Sequence, residues 1–248
     1  MVDATVIPTM EQRIASLTAP SARSNVPPFM VMDVMAAAER IEASGGHVIH
    51  MEVGQPAAPA PRTALAAAHA ALDQARIDYT SALGLPSLRG RIARHYRETY
   101  GCDIDPGRIV ITTGSSAGFI LAFLAMFEPG DRVAVTVPGY PPYRHILTAL
   151  GCEPVLIETT AETRHALTGE ALLAAHRKTP LKGVLVASPA NPTGTMMSRA
   201  ALGDVIAAAR DAGIRFISDE IYHGLDYAFP AVTAAQLTAD ALIINSFS

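Results

Sequence analysis

From residue 108 onward, short unbroken apolar runs alternate with longer stretches of helical periodicity. The runs cover residues 108–112, 132–137, 154–158, 183–187, 214–217 and 241–245. Between them, residues 115–127, 143–150, 168–177 and 198–212 carry apolar side chains at helical spacing. The runs are continuously apolar rather than alternating, as strands buried on both faces require. Strand and helix in strict turn predict an α/β fold, a mostly parallel sheet with helices on both faces. In such sheets ligands bind in the crevice outside the carboxyl ends of the strands. The residues that follow each run are therefore the first candidates for chemistry.

The earlier part of the chain is less regular. Residues 1–29 are rich in proline and carry little periodicity, which suggests an arm against a partner subunit. Residues 31–43 read as a helix ended by Gly45-Gly46. Residues 47–53 read as a short strand, followed by a turn at Gly54-Gln55-Pro56. Without a Cβ, Gly54 lets a small ligand approach the backbone. Residues 61–75 and 85–100 read as two more helices, with Asp78-Tyr79-Thr80 between them. The resulting division is an N-terminal arm and helix over 1–46, part of a small domain and of a dimer contact. A large α/β domain occupies 47–248.

Composition narrows the classes of function. Half of the 248 residues are hydrophobic and 17% are charged, a globular balance with ample core. A net charge of −4 without a basic patch argues against nucleic acid. The longest apolar run, residues 118–127, is too short to span a bilayer, so no membrane partner is expected. The first sixteen residues lack the apolar core of a signal peptide. Cys102 and Cys152 have no metal or redox spacing. A cytoplasmic protein without a metal site is the expectation.

Four strand ends carry suggestive side chains. Thr112-Thr113-Gly114-Ser115-Ser116-Ala117-Gly118 joins a run to an apolar helix. Small residues there leave the first N–H groups uncovered, which suits a phosphate; the alternative is a plain capped helix. No lysine follows the glycines, so this is not a P-loop. The glycine spacing also disfavours a nucleotide-binding oxidoreductase. Val137-Pro138-Gly139-Tyr140 holds an aromatic ring near the next strand end, for stacking on a flat ligand or for packing. Ser188-Pro189-Ala190-Asn191-Pro192 fixes one amide between prolines, in reach of an acceptor-only oxygen. Ser218-Asp219-Glu220-Ile221-Tyr222 places a carboxylate and a phenol after the run at 214–217. Buried there, Asp219 needs a cationic partner or its pKa rises; the plain alternative is that Asp219 caps a helix and Tyr222 packs. A phosphate cradle, a ring stacker, an oxygen-binding pair and a carboxylate together fit one molecule, pyridoxal 5'-phosphate.

With these pieces in order, the chain resembles a fold-type I pyridoxal-phosphate-dependent aminotransferase of class I/II, the aspartate aminotransferase superfamily. The matching segments are Gly54-Gln55-Pro56, Tyr79-Thr80 with Gly84, Thr113-Gly114-Ser115-Ser116-Ala117, Pro138-Gly139-Tyr140-Pro141, Asn191-Pro192-Thr193-Gly194, Ser218-Asp219-Glu220-Ile221-Tyr222 and Ser246-Phe247-Ser248. The resemblance implies that Ser115, Ser116, Ser246 and Ser248 serve the phosphate and that Tyr140 stacks on the ring. Asn191 and Tyr222 would hold the ring oxygen, and Asp219 would keep the ring nitrogen protonated. Tyr79 would reach the phosphate of a neighbouring subunit, which makes a homodimer. Gly54, Tyr140 and Asn191 would face the substrate. The implied reaction transfers an amino group from an amino acid to a 2-oxo acid through a Schiff base to the cofactor.

The family pattern places its Schiff-base lysine directly after Ser-Phe-Ser, where this sequence ends. Lys178 and Lys182 are the chain's only lysines, and both flank a helix-to-strand connection away from the strand ends. The resemblance thus implies that the catalytic lysine, the carboxylate-binding arginine and a C-terminal small domain lie beyond Ser248. The 248 residues alone are expected to be inactive. Two other functions use the same features: a β-eliminating carbon–sulfur lyase with this cofactor, and a non-catalytic effector-binding domain.

Overall fold

A computed structural model describes Met10 and residues 17–54, 58–74 and 78–247. Gln55, Pro56 and Ser248 lie outside the described residues. The core is a five-stranded sheet in the order β2-β1-β3-β4-β5. Its strands are β1 (Arg132–Val137), β2 (Glu153–Glu158), β3 (Gly183–Ala187), β4 (Arg215–Asp219) and β5 (Leu242–Ile244). Every pairing is parallel. The helices are α1 (Met30–Ala43), α2 (Arg62–Gln74), α3 (Pro86–Tyr100), α4 (Ser115–Met126), α5 (Pro142–Ala149), α6 (Gly169–Lys178) and α7 (Arg199–Asp211).

Alternation along the strands divides the core in two. Val133, Val135, Leu185 and Ile217 face α4 and α5, where they join Phe119, Phe123 and Leu147. Ala134, Val184, Val186 and Phe216 face α6 and α7, where they join Leu172, Leu202 and Val205. Both faces are thus covered, and this is why the strands read as unbroken apolar runs. Each fully buried leucine, valine or phenylalanine stabilises the fold by roughly 1.5–3 kcal/mol relative to exposure. Local signals agree with this packing. Thr168 and Ser198 cap α6 and α7 by accepting the N–H of Ala171 and Ala201. Gly101, at φ 69°, ends α3 in the left-handed conformation.

Two expected strands do not form. Residues 47–53 lie in irregular chain. The run at 108–112 begins in a short 3-10 turn and Ile109 is extended, but the N–H of Ile111 donates to the carbonyl of Leu83 rather than to a neighbouring strand. An apolar β-branched run favours extended backbone, yet a strand also needs a partner ladder. Among the described residues none lies alongside.

The strand order reverses between β1 and β3, since β2 lies on one side of β1 and β3, β4 and β5 on the other. That switch point opens a crevice at the carboxyl ends of the two strands. Tyr140 follows β1 there and Asn191 follows β3. The peptide bonds preceding Pro138, Pro189 and Pro192 are cis. No described helix is long and apolar enough to cross a membrane.

Candidate active site

Asp219 is the last residue of β4 and is 2% exposed. Its Oδ1 accepts the N–H of Ile221 at 3.1 Å, and its Oδ2 accepts the hydroxyl of Tyr143. Burial pushes the Asp219 carboxyl up to about 6. The Tyr143 and Ile221 hydrogen bonds oppose that rise, and the neighbouring Glu220 adds to it. Tyr143 sits in the first turn of α5, itself buried, and burial followed by the Asp219 charge drives its phenol well above the usual range. Among the described residues, the Asp219 carboxylate has two hydrogen bonds and no cation beside it.

Tyr140 and Tyr143 lie one helical turn apart, ring centroids 5.3 Å from each other and nearly perpendicular. Phe29, just before α1, makes a second perpendicular contact with Tyr140 at 5.8 Å. Burial raises the Tyr140 phenol, and the nearby Tyr222 and Asp219 add to the rise. Across the crevice, Asn191 Nδ2 donates to Tyr222 Oη at 3.1 Å. This leaves the phenol hydrogen of Tyr222 for another acceptor.

The start of α4 closes the group. Gly114 precedes the helix at φ 87° and carries no side chain to cap it. A Cβ at Gly114 would meet nothing within 4 Å, so the approach to the first turn is open. Thr112 Oγ1 turns back onto the carbonyl of Gly114 and leaves the helix N–H groups alone. One turn into the helix, Phe119 packs its ring against Tyr143 at 5.1 Å, and Gly118 sits against Ile244 of β5. The uncapped turn at Ser115 and Ser116 is thereby tied to the aromatic that holds Asp219.

The structure therefore brings Asp219, Tyr140, Asn191 and Tyr222 into one cluster and links the Ser115 turn to it. Ser246 lies two residues after β5, beyond that strand's carboxyl end. Gly54 and Tyr79 belong to the irregular N-terminal part. Both are exposed, Tyr79 completely so, and neither touches the cluster. Two residues of the cluster escaped the sequence reading. Tyr143 had a signal, the spacing of two tyrosines over Tyr140-Pro141-Pro142-Tyr143 at the start of a helix. Phe29 had none, because its contact is made across the fold by a segment without periodicity.

A buried carboxylate, an aromatic, an amide–phenol pair and an open helix N-terminus are thus gathered at the switch point of a parallel sheet, where ligands bind in folds of this kind. The model of the aminotransferase class I and II family matches residues 46–248, and the chain belongs to that family. It is similar to the valine–pyruvate aminotransferase of Mycobacterium tuberculosis, 48% identical over 91% of this chain and 58% of that protein. A crystal structure of an aminotransferase from the same organism superposes with a TM-score of 0.88 at 47% identity, covering 93% of this chain and 59% of that one. The aspartate aminotransferase of Thermus thermophilus, solved with maleate, gives a TM-score of 0.88 at 26% identity over 93% and 60% of the two chains. The chain thus spans about three-fifths of the length of these relatives.

Proposed function

We propose that this chain is the cofactor-binding part of an enzyme that moves an amino group from an amino acid to a 2-oxo acid with pyridoxal 5'-phosphate. One observation carries the reading. Asp219 is buried, keeps two hydrogen bonds and has no cation beside it among the described residues, while burial and the neighbouring Glu220 raise its carboxyl pKa. A pyridinium N–H is a cation of the right size and shape to offset it. The bound cofactor supplies an electron sink for the bond cleaved next to the amino group.

This chain's residues bind and orient that group. Asp219 keeps a proton on the ring nitrogen, and Tyr143 holds the carboxylate in place. Tyr140 stacks along the ring. Asn191 and Tyr222 donate to the ring oxygen and favour its ionised form. The first N–H groups of α4, with the hydroxyls of Ser115 and Ser116, bind the phosphate. Ser246 and Ser248 add to that cradle. Gly54, Tyr140 and Asn191 line the substrate side, and Tyr79 serves the phosphate of a second subunit.

Valine as donor and pyruvate as acceptor are the first pair to try, on the strength of the 48% identity to the protein that carries those substrates in its name. The test uses the full-length protein with added pyridoxal phosphate and that pair. Alanine should appear in step with loss of valine. Ammonia and a 2-oxo acid formed from a donor with a leaving group on Cβ, such as cysteine, with no new amino acid and no transfer from valine, would replace transfer by β-elimination. Failure of the protein to bind pyridoxal phosphate would remove the reading altogether.

A further inference from the structure

Behind the Asn191–Tyr222 pair lies a second buried group that the proposed chemistry does not use. His223 follows Tyr222, and its side chain is 2% exposed. Its Nε2 lies 3.0 Å from the carbonyl oxygen of Ser188. A carbonyl only accepts, so Nε2 carries the hydrogen. The other ring nitrogen, Nδ1, lies 2.9 Å from the hydroxyl of Tyr100, at the end of α3. Glu220, 1% exposed, presents Oε2 to the same Nδ1 at 3.6 Å. The second oxygen of Glu220 is fully engaged, accepting from Ser218 Oγ at 2.9 Å and from the N–H of Ala234 at 2.8 Å. Oε2 has no hydrogen-bond partner.

The connectivity gives this imidazole a task. Ser188 opens the turn that carries Asn191, and His223 closes the turn that carries Tyr222. The two turns are joined in front by the Asn191–Tyr222 hydrogen bond and behind by the His223–Ser188 hydrogen bond. Within its own turn His223 is also fixed by its backbone, whose N–H donates to the carbonyl of Glu220 at 3.0 Å. Only the front bond would face a ligand. The rear bond acts together with the Ser188 N–H, which donates to the carbonyl of Asp219 at 3.2 Å, to set the separation of the two turns and thereby the distance between the amide and the phenol. Glu220 and Tyr100 hold the ring from its far side, so the ring cannot rotate without abandoning Nδ1 contacts in a dry interior.

We propose that His223, backed by Glu220 and Tyr100, is a positioning residue that holds Asn191 and Tyr222 at the spacing needed to grip one oxygen of the cofactor ring. The inference rests on the pyridoxal-phosphate reading of the site. It assigns His223 no contact with cofactor or substrate.

The test is a double-mutant cycle on the full-length holoenzyme, read by the dissociation constant of pyridoxal phosphate and by the visible absorbance band of the bound cofactor. His223→Asn is too short to reach Ser188, whereas His223→Gln places an amide N–H near the position of Nε2. His223→Asn should weaken cofactor binding about fivefold, the loss of one net hydrogen bond, and move the absorbance band in the direction that Tyr222→Phe moves it. His223→Gln should stay close to the parent protein. Combined with Tyr222→Phe, His223→Asn should add almost nothing, because the geometry it protects no longer has a use. Tyr100→Phe is the gentler lever should His223→Asn fail to fold, with a smaller loss of the same sign that also vanishes in the Tyr222→Phe background.

A lowered melting temperature with the band and affinity of the parent protein would reduce His223 to a structural role and overturn the proposal. Full additivity with Tyr222→Phe would do the same. A band that Tyr222→Phe itself leaves unmoved overturns the assignment of Tyr222 to the ring oxygen, and the inference falls with it. If Tyr222→Phe moves the band and His223→Asn does not, the site reading stands and this inference alone fails.

Discussion

Asp219 occupies a place where a charge is hard to keep. Its carboxyl titrates near pH 6 in the folded chain, against an ordinary value of 3.8. The folded state therefore binds the proton more tightly than the unfolded chain does. Below about pH 4 both states are protonated and the group costs nothing. As pH rises from about 4 through 6, the buried group loses its proton and stability falls, by about 3 kcal/mol at most. Replacing the carboxylate with a neutral amide removes that cost. Asp219→Asn should make the cofactor-free protein more stable at pH 7, by about 1–3 kcal/mol, and leave it little changed near pH 4. Urea unfolding at the two pH values measures the difference. The same variant should lose pyridoxal-phosphate-dependent transfer by roughly 100- to 1000-fold, as when one strong electrostatic contact to the reacting group is removed. Tyr143→Phe tests the partner. Its hydroxyl helps keep Asp219 ionised, so its loss should raise the carboxyl pKa further. Cofactor affinity in Tyr143→Phe should then fall off at a higher pH than in the parent protein, as absorbance titrations would show.

Among the elements, α4 does two jobs, and two glycines separate them. Gly114 takes φ 87° with open space around the position of a Cβ. Gly114→Ala should cost about 1–3 kcal/mol of backbone strain and tilt the first turn proposed to receive the phosphate. Gly183, at the start of β3, has the ring of Phe127 within 2.2 Å of where a Cβ would stand. Gly183→Ala should destabilise by about 1–3 kcal/mol through overpacking. Gly183 lies at the far end of its strand from the site, so the surviving folded protein should bind phosphate as before. Comparing urea midpoints with the phosphate dependence of cofactor binding separates the two effects. The same elements show what a sequence can reveal. The helices and the five paired strands were legible because each buries a periodic face, and periodicity survives in one dimension. The expected strands at 47–53 and 108–112 failed because a ladder depends on a neighbour, which no local pattern records. Tyr140, Asn191 and Tyr222 were legible as residues placed after strands, and Asp219 as the residue at a strand's carboxyl end. Tyr143 and His223 were not, because their roles come from contacts across the fold: the Tyr143 hydroxyl meets a carboxylate 76 residues away, and His223 meets a carbonyl 35 residues away.

At the scale of the whole molecule, the single chain leaves much apolar surface uncovered. α4 is apolar on every side, and Ile120, Leu121 and Leu124 face outward from it, 40–60% exposed. All described side chains of α2 are exposed as well, and Tyr79, a few residues after it, is fully exposed. A helix that is apolar all round belongs in an interior, and α4 in this chain alone lacks that cover. A homodimer in which Tyr79 reaches the partner's phosphate site would account for the exposure of Tyr79, and it makes a prediction that a purely internal role for this residue does not. Tyr79→Ala and Asp219→Asn should each inactivate the full-length protein as pure preparations. In a mixed dimer, the chain bearing Tyr79→Ala keeps its own Asp219 and borrows an intact Tyr79 from the Asp219→Asn chain. One of the two sites is then whole. Unfolding and refolding the two variants together at equal amounts should restore about a quarter of the parent activity, since half of the dimers are mixed and each carries one good site. Sedimentation should show the same dimer mass in every sample. Activity that stays at the level of the separate variants, in a preparation shown to be dimeric and mixed, would place Tyr79 outside the partner's site.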